Sequence, residues 1–141
     1  MVKMSRVGYY LGEYKHNLTA QNRLALPKRF RFEIESAEIV LAKGDGNWIE
    51  GFAVEKWKQI VQQFLTVPFT EAEGRNLRRR VFASAMLVEL DAQGRIVIPD
   101  PLLIWVGLKG KVGEEVVVLG VGDHFEIWSS AQFEAQVVRK S

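Results

Sequence analysis

The chain writes one thirteen-residue phrase twice, LTAQNRLALPKRF at residues 18–30 and LDAQGRIVIPDPL at residues 90–102. An internal repeat constrains a fold more than any local propensity, because each copy must take one shape and the copies must then share a core. Aligned from Asn17 and Glu89, the Leu, Ala, Gln, Arg and Pro recur in register, and apolar residues match after each arginine. The echo continues, IVLAKGDGNW at 39–48 resembling VVVLGVGDHF at 116–125, and FAVEKWKQIV then being answered by WSSAQFEAQV. Two tandem units of some seventy residues follow from this.

Within each unit the periodicity places the same elements. Residues 88–90 and 95–98 flank Asp91-Ala92-Gln93-Gly94, a loop whose glycine can take the positive φ that closes a bulged hairpin. In the first unit Asn22 holds that place, asparagine being a frequent non-glycine visitor to the left-handed region. Pro27 and Pro99 end the second strand, and short helices are expected over 28–33 and 102–106, since proline is tolerated where a helix begins. A second hairpin follows in each unit, 38–41 with 49–52 across GDGN and 116–119 with 125–128 across VGDH. Helices over 55–64 and 131–138 close the units, the first carrying Trp57, Ile60, Val61 and Phe64 on one stripe.

Between the units, Pro68 breaks the chain. Thr70 with Glu73 three residues on reads as a capping box, and Leu77, Val81 and Phe82 give the following helix an apolar side. The division expected is 8–54 for the first unit, 55–84 for its closing helix and the helical connector, 85–130 for the second unit and 131–141 for the last helix and end. Residues are 48% hydrophobic, and four Trp and eight Phe need cover that neither small unit supplies alone. The fold class is therefore α+β, with the two units packed as one pseudo-symmetric, barrel-like body. Cysteine is absent, which removes disulfides and thiolate metal sites. No signal-peptide pattern opens the chain and no apolar run reaches membrane-spanning length, so a soluble, intracellular protein is expected.

Net charge is only +2, but its distribution is uneven. Residues 1–70 hold ten Lys and Arg against seven Asp and Glu, whereas residues 71–141 hold nine against ten. The basic character lies in the first half.

The pattern D-x-x-G-R-apolar-x-apolar-P resembles the swapped-hairpin DNA-binding domains of the SpoVT and AbrB type. Two copies, joined by a helix carrying Arg78-Arg79-Arg80-Val81-Phe82 and followed by Gly120 and the FEIW of 125–128, resemble the MraZ family of bacterial transcriptional regulators over almost the whole chain. The resemblance implies tandem swapped-hairpin units and a cytoplasmic, nucleoid-associated protein that assembles into rings. It also implies binding to direct repeats in double-stranded DNA upstream of the division and cell-wall gene cluster, usually as a repressor acting on its own promoter. The family's Asp-x-x-x-Arg element maps unchanged onto Asp91 and Arg95; in the first unit Thr19 stands for the Asp, Asn22 for the Gly, and Gln21 where relatives commonly carry lysine.

The residues themselves distinguish the copies. From Lys15 to Arg31 the first carries Lys15, Arg23, Lys28, Arg29 and Arg31 with no carboxylate, whereas from Glu89 to Leu103 Arg95 stands against Glu89, Asp91 and Asp100. A polyanion selects the first face. Arg23, freed from an aspartate, can fork onto a guanine edge or a phosphate, and the amides of Gln21 and Asn22 can donate to phosphate or read adenine. Lys15, Lys28 and Arg29 suit phosphate contacts, which position without specifying. Lys28, Arg29 and Arg31 read equally as a solvated helix face. Arg95 joins the candidate DNA-binding set, but its first expected role is to lock the hairpin with Asp91. Arg75, Arg78, Arg79 and Arg80 are expected to pair between units or subunits.

No enzyme is expected. His16 lies among cations and His124 in a turn, with no carboxylate pair near either, so no triad, metal centre, cofactor or small-molecule substrate is read here. No Gly-Ser self-processing site is present. A ring-forming interaction scaffold and an AbrB-type antitoxin are the alternatives; the antitoxins usually add a disordered tail, and this chain ends about three residues after its last expected helix.

Overall fold

In the computed structural model, residues 5–140 are described. The first unit runs β1 (Glu13–Asn17), β2 (Arg23–Ala25), α1 (Lys28–Glu33), β3 (Glu38–Lys43), β4 (Ile49–Ala53) and α2 (Val54–Phe64). The connector helix α3 (Ala72–Ser84) leads to β5 (Met86–Glu89), β6 (Arg95–Val97), α4 (Asp100–Val106), β7 (Glu115–Gly120), β8 (Phe125–Ser129) and α5 (Ser130–Phe133). A π-helical turn, Glu134–Val138, continues α5, so the last helix is not the uniform one its pattern suggests.

Antiparallel pairing gives a six-stranded sheet ordered β1-β7-β8-β4-β3-β5 and a two-stranded ribbon of β2 and β6. Each unit keeps its second hairpin, β3 with β4 and β7 with β8, and lends its first strand to the other unit. Thus β1 lies on β7 and β5 on β3, with the units joined where β4 meets β8. The large sheet is open, with β1 and β5 at its edges, so it does not close into the barrel-like body that the sequence led one to expect.

One expectation is corrected here. Strands 88–90 and 95–98 do not form their own hairpin ladder; only the loop is closed locally, Asp91 N–H donating to the Arg95 carbonyl at 2.9 Å. β6 leaves its unit to pair with β2, with Leu24 directly opposite Ile96. The exchange brings both side chains, each fully buried, into a single core that neither unit could assemble. At about 1.5–3 kcal/mol for burying such a side chain, this favours the crossed arrangement over two exposed hairpins. The same core takes Phe30 from α1, Leu102, Leu103 and Val106 from α4, and Phe125 and Ile127 from β8.

The connector departs from its capping box. Glu71, not Thr70, is the N-cap residue of α3, and it makes no side-chain cap bond. The Thr70 carbonyl instead accepts from Arg75 at 2.9 Å, drawing the chain past Pro68 before the helix starts. Arg78 donates to the Val67 carbonyl at 2.9 Å, so Arg75 and Arg78 tie down the connector's own turn rather than bridging units. Arg80 does reach the first unit, meeting Asp45 at 2.8 Å. The α2 stripe of Trp57, Ile60, Val61 and Phe64 is half-buried, Trp57 resting on Phe52 and on Phe82 of α3. Among the described residues no helix is long and apolar enough to cross a membrane.

Candidate nucleic-acid interface

Strand alternation decides what the ribbon shows to the outside. Leu24 and Ile96 point inward, so Arg23, Ala25, Arg95 and Val97 share the opposite face. Arg23 sits directly across from Val97, which is 49% exposed, and Arg95 lies diagonally from it. The two arginines thus line one shallow groove with Val88, Glu89, Leu90 and Asp91. Crossed strands bring together two residues that are far apart in the sequence.

The two loops beside this face are held differently. In the second, the Asp91 carboxylate accepts from the N–H groups of Gln93 and Arg95, each at 2.9 Å, and from Arg95 Nε at 2.9 Å. These bonds hold the Asp91 carboxyl below the usual carboxylate range, the Arg95 backbone N–H contributing most. In the first loop Thr19 has a hydroxyl instead, which donates to the Arg23 carbonyl at 3.1 Å. Without the carboxylate, Arg23 turns to the side-chain oxygen of Gln21. It is therefore engaged by a neutral neighbour rather than by an anion, and its charge stays uncompensated within the loop.

Backbone geometry corrects a second expectation. Asn22 is not alone in the left-handed region; Gln21 has φ 64° and Asn22 φ 58°, whereas Gly94 alone has positive φ in the second loop, at 75°. The Asp91 carboxylate fixes Gln93 by its N–H, whereas the hydroxyl of Thr19 in the first loop is turned to the Arg23 carbonyl. Each tip is also anchored by the other unit, Leu26 N–H donating to the Gly94 carbonyl and Ile98 N–H to that of Asn22.

The other candidate cations lie on β1 and α1. Lys15 is exposed on β1, 3.9 Å from Glu115. Lys28 and Arg29 are exposed on α1, and Arg29 reaches the Ser5 carbonyl at 3.4 Å. Arg31 is not part of a solvated helix face: it is half-buried and donates to the Gln93 carbonyl of the second loop at 3.0 Å. Partial burial, followed by the charge of Arg31, holds the His16 imidazole below its ordinary range.

His124 requires a correction too, because carboxylates flank it on both sides. Its Nδ1 lies 2.6 Å from Asp123 and its Nε2 3.4 Å from Glu50, with the ring stacked on Phe52. Burial alone would lower its pKa, but the bonds and charges of Glu50 and Asp123 together raise it. The neighbouring Glu126 stands directly across from Glu50 where β4 meets β8, and burial raises its pKa. With both ring nitrogens facing carboxylates, His124 has no nitrogen left to activate a hydroxyl, and the cluster reads as a clamp across the seam. The adjacent Asp123-His124 pair was visible in the sequence, but Glu50 enters through strand register alone. Among the described residues no group of side chains could hold a metal ion.

Two tandem α+β units that exchange strands, with paired arginines on a crossed ribbon, define a swapped-hairpin protein of the kind that the family resemblance implied. The family model described as "MraZ protein, putative antitoxin-like" matches residues 9–80 and again 81–141. The chain belongs to the MraZ family. It is 36% identical over 125 residues to "Transcriptional regulator MraZ" of Roseiflexus castenholzii, covering 89% of this chain and 84% of that one. It is 34% identical, with the same coverage, to the protein of that name from Roseiflexus sp. strain RS-1.

Proposed function

We propose that this protein is a DNA-binding transcriptional regulator that grips double-stranded DNA with the outer face of the crossed ribbon and its two loops. The observation that carries the reading is the meeting of Arg23 and Arg95 on one exposed face, with Arg23 unmatched by any carboxylate in its loop. Family membership supports it, since the relatives are named as transcriptional regulators. In this reading Arg23 contacts a base edge or phosphate, and Gln21 and Asn22 contribute from the tip. Lys15, Lys28 and Arg29 neutralise phosphates along the flank. Arg95, already neutralised by Asp91, adds less.

The finer proposal is a repressor in a cytoplasmic, nucleoid-associated, ring-shaped homo-oligomer. Its sites are direct repeats at its own promoter and at a division and cell-wall gene cluster. The units act as 8–54 and 85–130, joined through 55–84. A mobility-shift series over salt on the upstream DNA of its own gene tests the central claim. Phosphate contacts by Arg23, Lys15, Lys28 and Arg29 predict a slope of log affinity against log salt of about −4 per protomer. Arg23→Ala is expected to cost roughly 1–3 kcal/mol of binding while the assembly stays intact by light scattering. An unchanged shift would remove Arg23 from the interface.

A further inference from the structure

The side chain of Arg31 crosses from the first unit to the second, where its Nη1 donates to the carbonyl of Gln93 at the loop tip. Its stem lies against the backbone of Gly94, so closely that a Cβ there would fall 2.0 Å from Arg31 Cδ. The φ of +75° favours glycine at 94, and any side chain there would also push the Arg31 guanidinium from its place. The arrangement carries a cost, because Arg31 Nε is buried with no hydrogen-bond partner. In the aligned repeat the second unit has Leu103 at this position, a fully buried core residue without a side-chain donor. A leucine at 31 would avoid the unsatisfied nitrogen. The guanidinium therefore supplies something a leucine does not: a charge-assisted bond to the second tip, and a cation beneath a loop flanked by Glu89, Asp91 and Asp100.

We infer that Arg31 is a positioning residue for DNA binding, a strut from α1 that holds the loop of residues 91–95 so that Arg95 stays beside Arg23 on the outer face. The inference rests on the proposed DNA-binding reading, and it assigns Arg31 no contact with DNA. Loss of the strut loosens one loop tip and misplaces one arginine, leaving the number of phosphate contacts unchanged.

The test uses the full-length protein with Arg31→Met, which keeps the apolar stem, and Arg31→Lys, which keeps the charge but not the planar fork. Amide hydrogen exchange at Gln93, Gly94 and Arg95 is read beside DNA affinity over a salt series. Both variants are expected to keep the wild-type assembly and to lose protection at the second tip. DNA affinity should fall by about threefold, less than for Arg23→Ala because Arg95 is the lesser contact, with the salt slope unchanged. A slope shallower by about one would make Arg31 a phosphate contact and overturn the inference. Unchanged tip protection would overturn it as well, as would lost protection with full affinity. If one variant fails to fold, the other decides. If wild-type protein fails to shift DNA at any salt, the DNA-binding reading falls, while the exchange data still decide whether the strut exists.

Discussion

Gly51 stands where the two units join, and adding one methyl group there tests the packing of the seam. It lies directly across from Phe125 in the β4–β8 ladder, and a Cβ built on it falls 2.3 Å from Phe125 Cε2 and 2.4 Å from Cζ. That ring cannot retreat cheaply. Phe125 is fully buried, with the rings of Tyr10 and Phe30 centred 5.5 and 5.6 Å away and themselves buried. Replacing glycine by alanine in a strand normally recovers about 0.5–1 kcal/mol of backbone entropy. Forcing a methyl group into a packed core costs about 1–3 kcal/mol, so Gly51→Ala is expected to destabilise by roughly 1–2 kcal/mol overall. An unfolding entropy of about 2.1 cal/mol/K per residue gives roughly 0.3 kcal/mol/K for a chain of this size. The melting temperature should therefore fall by roughly 3–7 °C, measured calorimetrically at matched protein concentration. Phe125→Leu supplies the control, since a shorter side chain opens the space and the double variant should recover at least about 0.5 kcal/mol against the sum of the singles. An unchanged or raised melting temperature for Gly51→Ala, or strict additivity in the cycle, would refute the account of the seam.

Two further expectations concern titration. The pKa of His124 is raised in the folded protein, so its contribution is fully present below the ordinary histidine value and is lost as pH rises through the folded one. Thermal melts from about pH 5 to about pH 8 should show wild-type protein losing stability relative to His124→Gln toward the alkaline end; parallel curves would remove His124 from the clamp. The Asp91 carboxyl is shifted the other way, so its contribution is present above the ordinary carboxylate value and disappears as pH falls through the lower, folded one. Asp91→Ala should accelerate amide exchange at Gln93 and Arg95 near neutral pH, and wild-type protein should approach that behaviour only in acid. Equal protection in both at neutral pH would show that the loop is held by other bonds.

What the sequence revealed and what it withheld divide according to the distance over which each feature is specified. The helix expected over 28–33 is α1, Lys28–Glu33, because a proline start and local periodicity specify it. The hairpins of β3 with β4 and β7 with β8 likewise follow from alternation and turn residues a few positions apart. The partner of β6 is β2, an exchange that a hairpin signal cannot reveal, since the loop of residues 91–94 has the same composition whether its flanking strands pair with each other or part. The same limit governs the candidate interface. Counting charges copy by copy assigned Arg31 to the basic first phrase and left the second phrase among acids. In space the guanidinium of Arg31 belongs to the second loop, 62 positions along the chain, and it replaces part of the positive charge that this copy lacks. The difference between the two phrases is therefore smaller at the ribbon than along the sequence: one loop presents an arginine released from its aspartate, and the other an arginine held by its aspartate and braced from below. A DNA backbone crossing both would meet one cation held only by a neutral amide and one held by a carboxylate, so substitutions at Arg23 should act mainly through lost contacts and substitutions around Arg95 through lost order.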